Sequence, residues 1–367
     1  MTGIRRVSQL GTTGESTYVD GSIQAADIAA NVITQAKLST DIPLSGMRNV
    51  LINGGFDVWQ RGTSFTGIAN TTSYTADRWC IFRSLVAGYS LSQQAMVPSE
   101  LSGFNYCARY QRTAGNTDLG VLYMGRTFES ITVKALAGKT VTLSFYVRKG
   151  TNFSGSTLET AVDFGTGTDL GFTTQPTSTT TTTISTTLTT SWQYVTSTIT
   201  VSTTATAARI LFFYTPTGTA GAADYFEITG VQLEVGPQAT PFEQRPYGVE
   251  LVMCQRYYFK YYGKSGGYGR IPSTGSSYGG TVWQGVVNVP TTMRTTPSSI
   301  DYSGIGCTDN VSFDSAAFTG VTLNTANSHS DGLFIIGSGG SGITSGAGQI
   351  LILRGEASAY FGISAEL

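Results

Sequence analysis

The chain of 367 residues is long enough for two or three domains of ~150 residues each. Only 12% of its residues are charged, below the ~25% that is usual in soluble proteins. Its 18 Phe, 19 Tyr and 4 Trp argue against a disordered chain, which would be poor in aromatic residues. A net charge of −1 argues against electrostatic binding to nucleic acid or to a membrane surface, so neither is an expected partner.

Signals for export, membrane insertion and metal binding are missing. The N-terminal segment has no apolar core typical of a signal peptide, and no stretch approaches the ~18 consecutive apolar residues of a membrane helix. The single histidine, His329, lies in a polar segment and is predicted to be a surface residue, so we expect no metal site and no cofactor. Four widely spaced cysteines without a CxxC pair are predicted to be free thiols: Cys80, Cys107, Cys254 and Cys307.

Residues 1–46 are predicted to be a short N-terminal oligomerising leader. The pattern of residues 23–28 recurs at residues 33–38, a spacing of ten residues. These apolar positions are too few to form a core within one chain, but several parallel copies could bury them together. The alternative is a flexible, partly helical leader.

The rest of the sequence is typical of an all-β protein, because short runs of alternating apolar and polar residues are separated by Gly, Ser and Thr. In residues 140–148, Val141, Leu143, Phe145 and Val147 are predicted to face a core, and the residues between them, from Thr142 to Arg148, to face water. Residues 195–201 and 231–235 alternate similarly. Residues 210–214 are apolar on both faces and suit a central strand.

Two further segments complete the prediction of the fold. The threonine-rich residues 177–190 are predicted to form a solvated strand and loop. A domain boundary is predicted before Pro246, which can begin a short helix with Val249, Val252 and Met253 on one side, before an extended segment at 256–259. The sequence thus predicts an antiparallel jelly-roll β-sandwich at 47–245 and a second small β-sandwich at 246–367.

Candidate catalytic motifs are weak. Residues 337–342 spell GxGxxG but are followed by more glycine and a strand-like run, so we interpret them as a β-turn loop rather than a dinucleotide site. Glycoside hydrolysis needs two nearby carboxylates, which sequence alone cannot pair. The candidates are Asp163, Asp169, Asp224, Glu227 and Glu234. We expect a protein without catalytic residues.

Tyrosines of the last domain are the better candidates for a binding site. Sugar rings present apolar C–H faces that stack on aromatic side chains, while hydroxyl and amide groups bind their polar edge. About half of the tyrosines in residues 257–262 are expected to be core. Tyr268 and Tyr278 lie in glycine-rich segments, 265–270 and 273–280, which we interpret as surface loops, and are predicted to bind glycan. The alternative is that both pack against neighbouring subunits.

Several motifs together resemble tail fibres and related receptor-binding proteins of tailed bacteriophages. Residues 48–62 with 74–79, and 230–236 with 239–243, are similar to the beginning and end of the carbohydrate-binding-module-like jelly roll in that family. Residues 254–258, 290–294 and 364–367 resemble the small β domain that follows it. The resemblance implies a homotrimeric virion protein of the tail fibre or baseplate. It would attach to phage tail or baseplate proteins through the leader and bind a host surface glycan.

The resemblance also implies roles for particular residues. Trp59, Trp79 and Trp192 are expected to fill the jelly-roll core. Modules of this shape often hold calcium, and Asp57 occupies one of the acidic positions, but Thr229 and Gly230 stand where further acids are expected. The alternative function is a glycan-degrading tailspike enzyme or its detached binding module, although the coil repeats of a long β-helix are absent.

Overall fold

The computed structural model describes residues 47–66, 72–83, 88–308, 316–341, 345–346, 348–354 and 357–367. The predicted oligomerising leader, residues 1–46, lies outside the described residues. Within the described ranges, no helix is both long and apolar enough to span a membrane. Residues 47–367 form one compact unit.

The first half of the described chain is a sandwich of two six-stranded antiparallel sheets, with strand orders β1-β4-β5-β12-β7-β10 and β2-β3-β6-β11-β8-β9. The late strands β11 and β12 each insert between earlier strands, which gives the predicted jelly-roll sandwich and confirms the fold class. The strands are β1 (Ser64–Thr66), β2 (Ser73–Tyr74), β3 (Cys80–Arg83), β4 (Tyr89–Ala95), β5 (Tyr106–Arg112), β6 (Leu122–Thr127), β7 (Thr140–Lys149), β8 (Leu158–Thr166), β9 (Thr177–Thr186), β10 (Gln193–Thr200), β11 (Ala207–Tyr214) and β12 (Tyr225–Val235), with helix α1 (Ser130–Leu136) after β6.

Alternation along β7 is confirmed on one face and only partly on the other, where Tyr146 and Arg148 are half-buried. Val141, Leu143, Phe145 and Val147 are fully buried between the sheets. Thr142 and Ser144, expected to face water, are buried as well. The segment after β12 crosses this outer face, and the Thr142 hydroxyl donates to Gly236 O at 2.7 Å. Alternation of apolar and polar residues distinguishes the two faces of a strand. It does not show whether another segment of the chain covers the polar face.

Two further strand predictions are confirmed. Residues 210–214 belong to β11, which lies centrally between β6 and β8. The threonine-rich segment forms the edge strand β9 and is largely exposed. Its β-branched residues suit an extended strand whose outer edge faces solvent.

The short helix after Pro246 is confirmed as α2 (Tyr247–Gln255), but its buried side differs from the prediction. Val249 and Val252 are exposed, whereas Cys254 is fully buried. Met253 packs with Cys254 against a small apolar cluster that includes the start of the jelly roll. The buried face of α2 therefore centres on Cys254, because that is the side on which the first sandwich lies. All four cysteines are buried thiols.

The last part of the chain forms two further antiparallel sheets. A three-stranded sheet has the order β13-β23-β17, and an eight-stranded sheet has the order β19-β18-β22-β15-β16-β21-β20, with β14 paired to β22. The strands are β13 (Tyr258–Tyr262), β14 (Gly269–Arg270), β15 (Ser273–Tyr278), β16 (Val282–Asn288), β17 (Ser299–Ser303), β18 (Ile305–Thr308), β19 (Ala316–Ala317), β20 (Gly320–Leu323), β21 (Gly332–Ser338), β22 (Gly348–Leu353) and β23 (Tyr360–Ser364). Trp283, Leu333 and Phe361 are fully buried in their common core. The boundary between residues 245 and 246 stays a prediction.

Candidate functional site

An aromatic groove lies on the outer face of the sheet that contains β11. Phe82, Tyr123 and Phe213 stand in register on the neighbouring strands β3, β6 and β11. All three rings are half-buried, and the centroids of the Tyr123 and Phe213 rings are 5.0 Å apart. Because alternate residues of a strand share a face, Leu211 continues this apolar floor from Phe213 along β11.

The other end of the aromatic groove is polar. Arg209, Asp163 and Thr181 occupy registered positions on β11, β8 and β9. The Arg209 Nε–H donates to Asp163 Oδ2 at 2.6 Å, and the Thr181 hydroxyl donates to Asp163 Oδ1 at 2.5 Å. These contacts hold a guanidinium group and a carboxylate in fixed positions at the groove wall.

Gly125 lets the Phe172 ring form one wall of the groove. A Cβ at Gly125 would lie 2.9 Å from the Phe172 ring and 2.0 Å from Ile210 O. Only glycine therefore lets the buried Phe172 ring pack over β6 while β6 and β11 keep their pairing. The aromatic groove encloses about 330 Å³, within the ~300–1,000 Å³ usual for ligand sites.

The groove combines two features of sugar-binding sites. Half-exposed aromatic rings offer flat apolar faces, and Arg209 with Thr181 offers hydrogen-bonding groups beside them. Among the described residues that line the groove, Asp163 is the one carboxylate. Hydrolysis by a pair of acids needs a second carboxylate roughly 5–10 Å away. The described lining of the groove thus supplies one carboxylate.

Two of the other candidate carboxylates belong to buried ion pairs. Asp224 accepts a hydrogen bond from Arg112 at 2.8 Å, and both side chains are fully buried. Glu227 lies between Arg109 and Arg148, at 2.6 Å and 2.5 Å. Charge-assisted hydrogen bonds at these distances fix the orientation of both carboxylates.

The remaining two carboxylates also have structural partners. Glu234 accepts hydrogen bonds from the backbone and hydroxyl of Thr240, at 2.8 Å and 2.7 Å. Asp169 accepts from Ser130 N at the start of α1, at 2.8 Å, and from Arg294 at 3.1 Å. The structure does not bring the five candidate carboxylates together at one cavity.

The predicted glycan-binding tyrosines are both exposed but lie in different surroundings. Tyr268 lines a second cavity, of about 520 Å³, together with Tyr302, Phe318 and Arg354. We call this the terminal-domain cavity. Tyr278 is 73% exposed and is not among its lining residues. Glycan binding by Tyr268 and Tyr278 stays a prediction.

One of the two predicted loops is a strand. Residues 273–278 form β15, paired along its length with β16, and the turn follows at Gly279 and Gly280, whose φ angles are 62° and 75°. Tyr278 faces outward because its neighbour Ser277 faces the core. Small residues made this strand resemble a loop, since Ser and Gly supply little of the side-chain bulk typical of strands. Residues 265–270 make a turn and the short strand β14.

The tryptophan prediction is confirmed for two of three residues. Trp79 is fully buried and Trp59 nearly so. Trp192 is only half-buried and lies outside the sandwich. It stands two residues before the exposed Tyr194 of β10, on the same face. The Arg148 guanidinium lies over its ring, 4.8 Å from the centroid. Trp192, just before the edge strand β10, therefore packs against Arg148 of β7 and is not part of the core.

Asp57 lines a small cavity with Asn105, Glu243 and Glu250, and the Glu243 carboxylate accepts hydrogen bonds from Arg48 N and Asn49 N, at 2.9 Å and 3.0 Å. Calcium takes ~6–8 oxygen ligands, several of them carboxylates. Asp57 contacts Asn105 Nδ2 at 3.4 Å, and the Thr229 hydroxyl at the position of an expected acid donates to Tyr106 O at 2.8 Å. Within the described part of the chain, no group of three or more His, Cys, Asp or Glu side chains could hold a metal ion. Burial, opposed by the Asn105 hydrogen bond, raises the pKa of the Asp57 carboxyl.

Two minor sequence features are also located. The glycine-rich residues 337–342 begin at the end of β21, and Gly339 has a φ of 77°. The motif's last glycine lies outside the described residues, and the next strand is β22. His329 is exposed, as predicted.

Comparison with protein-family models and with curated proteins finds no match. Solved structures with similar folds include the enzymatically active domain of tailspike protein 4 from bacteriophage CBA120, at 12% identity over 51% of this chain and 21% of that chain, with a TM-score of 0.35. A putative sugar-binding protein from Bacteroides thetaiotaomicron matches at 11% identity over 52% of this chain and 100% of that chain, with a TM-score of 0.34. A CBM22-2 xylan-binding domain from Paenibacillus barcinonensis matches at 13% identity over 43% of this chain and 92% of that chain, with a TM-score of 0.28. Identities and TM-scores this low do not transfer a ligand or an activity to this chain.

Proposed function

We propose that this protein is a tail fibre or baseplate-associated virion protein of a tailed bacteriophage, and that it binds a host surface glycan. The observation that carries the binding proposal is the aromatic groove, where three half-exposed rings stand in register beside the fixed Arg209–Asp163 pair. The sequence resemblance at residues 48–62 and 230–243 supports the virion assignment.

The groove favours a neutral or weakly charged sugar. Ring stacking needs no charge on the ligand, and the positive charge of Arg209 is compensated by Asp163 at 2.6 Å. A planar guanidinium group whose orientation is fixed by a carboxylate can still donate its remaining N–H groups to sugar hydroxyls. Binding in the groove should therefore depend only weakly on salt.

The proposed assembly is a parallel homotrimer attached to the tail or baseplate through the leader. The apolar positions of residues 23–28 and 33–38 support it, because they have too few neighbours in their own sequence segment to form a core. Light scattering on the full chain measures the mass directly. Three times the chain mass of 38.9 kDa is expected, and a monomer at micromolar concentration would contradict the trimer.

The binding proposal is tested by competition and by product analysis. The soluble protein should reduce adsorption of the phage to its host, and groove variants Tyr123→Ala and Phe213→Ala should compete less well. Tyr194→Ala is the matched control, because it removes an exposed ring from the outer face of the other sheet. Incubation with host polysaccharide should release no new reducing ends. Steady release of reducing ends would favour the glycan-degrading tailspike enzyme instead.

A further inference from the structure

The aromatic groove crosses its sheet from strand to strand, along one row of paired residues. Cys80, Gly125, Leu211, Ala161 and Thr183 pair in that order across β3, β6, β11, β8 and β9. Directly paired residues project from the same face of a sheet, so these five form a continuous line on the outer face, which we call the middle row. The small side chains of Gly125 and Ala161 leave space above this row.

Larger side chains stand on both sides of the middle row. Tyr123 and Phe213 are paired in the next row on one side, and Arg209 and Asp163 in the next row on the other. A sugar that lies along the middle row thus has aromatic ring faces on one side and hydrogen-bonding groups on the other. The direction of the middle row is therefore the direction in which a glycan would lie.

The middle row is blocked at its end over β6 and β3. The Phe172 ring lies on Gly125, where a Cβ would come within 2.9 Å of a ring carbon. Phe172 itself is 3% exposed, and Cys80, the next residue of the row beyond Gly125, is 1% exposed. The protein therefore covers this end of the row, and a sugar chain cannot continue past Phe172.

Contacts with other elements hold the blocking Phe172 in place. It belongs to residues 167–176, which connect β8 to β9. At the start of α1, Ser130 N donates to Asp169 Oδ1 at 2.8 Å, and the Ser130 hydroxyl accepts from Asp169 N at 2.7 Å. Arg209 Nη1 donates to Phe172 O at 3.4 Å. The blocked end is thus formed before any ligand binds, which lowers the entropy cost of binding.

The opposite end of the middle row, at β9, is open. Among the described residues, β9 is the last strand of its sheet and pairs only with β8. Thr183 at this end is exposed, whereas Leu211 and Ala161 in the middle of the row are 8% and 7% exposed. Along its length, the groove therefore deepens from the edge of the sheet towards Phe172.

We infer that the aromatic groove takes the terminal sugar unit of a glycan chain or branch, and that the rest of the chain leaves over Thr183 at the edge of the sheet. A chain bound through internal units needs an exit at both ends of the middle row, and Phe172 blocks one of them. The groove volume of about 330 Å³ lies at the lower end of the ~300–1,000 Å³ of ligand sites, which suits a ligand of one sugar unit. This inference rests on the proposed function, because it concerns the same groove.

The dependence of affinity on chain length tests the inference. Purified host surface polysaccharide is partially hydrolysed, and fragments that keep the native end of the chain or branch are separated by size, from single sugars to hexasaccharides. Their binding to the full chain is measured by titration calorimetry. Affinity per native end should change by less than about threefold from disaccharide to hexasaccharide, whereas a site that binds several internal units should gain about tenfold or more.

A variant at the open end tests the path of the chain. Thr183→Leu adds bulk without a ring or a hydrogen-bonding group, so it should weaken binding of disaccharides and longer fragments about fivefold and spare the single sugar. Thr196→Leu is the matched control, because Thr196 is an exposed threonine of β10, the edge strand of the other sheet. If Thr183→Leu lowers the melting temperature, the length series with the parent protein still decides.

Two results would overturn this inference and leave the proposed function standing. One is an affinity that rises about tenfold or more from disaccharide to hexasaccharide and is lost in Phe213→Ala. The other is a folded Thr183→Leu variant that binds the longer fragments like the parent. Binding that a folded Phe213→Ala variant retains in full, or no binding of the polysaccharide and its fragments, would overturn the proposed function and this inference together.

Discussion

Glu366, the penultimate residue of the chain, forms a buried ion pair with Arg78 of the jelly roll. Arg61 contacts the same carboxylate at 3.4 Å, and the Tyr74 hydroxyl donates to Leu367 O at 2.7 Å. These contacts hold the last two residues of the second sandwich against the jelly roll. Because the Arg78 side chain is almost completely buried, loss of its carboxylate partner would leave an uncompensated charge in the interface.

Glu366→Gln should therefore destabilise the protein strongly. Removing one partner of a buried ion pair costs about 3–5 kcal/mol in unfolding free energy. Urea denaturation of the parent and variant measures this loss. Asp331→Asn is the control, because its carboxylate is exposed and its removal should leave stability unchanged. Equal stability of Glu366→Gln and the parent would contradict the fastening role.

Because of the Asp77 carboxyl, the free energy of unfolding should fall as the pH rises. Burial raises the pKa of its carboxyl to about 6, although Arg61 and hydrogen bonds from Gln60 oppose the shift. The unfolded value is ~3.9, so the folded state binds the proton more tightly. This stabilisation is fully present below the unfolded pKa and is lost as the pH rises through about 6.

The free energy of unfolding that Asp77 contributes, and that is lost at higher pH, is about 3 kcal/mol for a pKa difference of roughly two. Asp77→Asn removes this titration and keeps the size of the side chain. Unfolding free energies of parent and variant, measured in urea across the acidic to neutral range, should therefore diverge, with the parent losing more stability as pH rises. Parallel pH profiles would show that Asp77 titrates normally.

Trp79 and Trp192 should respond very differently to truncation. Trp79 is fully buried, packs on Phe56 with ring centroids 5.0 Å apart, and donates its indole N–H to Asn53 O at 2.9 Å. Trp79→Ala should cost about 3–5 kcal/mol. Trp192→Ala, at an edge strand, should cost clearly less, and thermal melting of both variants provides the comparison. Similar losses would contradict the placement of Trp192 outside the core.

Tyr268→Ala and Tyr278→Ala test the prediction that these two tyrosines bind glycan. Each variant is measured for oligomer mass by light scattering and for adsorption to host cells. Reduced adsorption with an unchanged mass is expected for a ligand-contacting ring. A changed mass would show instead that the ring packs between subunits, and an unchanged variant that adsorbs normally would remove that tyrosine from the site.

The sequence predicted the sandwich well because alternation directly reflects burial on two faces of a strand. The aromatic groove was not predicted, although one signal was present. Residues 210–214 are apolar on both faces, and this was interpreted only as a sign of a central strand. Leu211 and Phe213 point away from the core and form the groove floor. An apolar second face can therefore also indicate a ligand surface.

The polar end of the groove depends on pairing between distant strands. Arg209 and Asp163 are 46 residues apart in sequence, and they meet because β11 pairs with β8 in one particular register. Similarly, Thr142 is buried by a segment that follows β12. Neither contact is encoded in local periodicity, because strand order in a jelly roll is set by the whole chain.

The central claim is that the aromatic groove binds a host surface glycan. The decisive measurement is the affinity of the full chain for purified host surface polysaccharide, compared for the parent, Phe213→Ala and Tyr194→Ala. Loss of one stacking ring should weaken binding about tenfold in Phe213→Ala, whereas Tyr194→Ala should bind like the parent. Equal affinity of a folded Phe213→Ala variant and the parent would contradict a binding role for the groove.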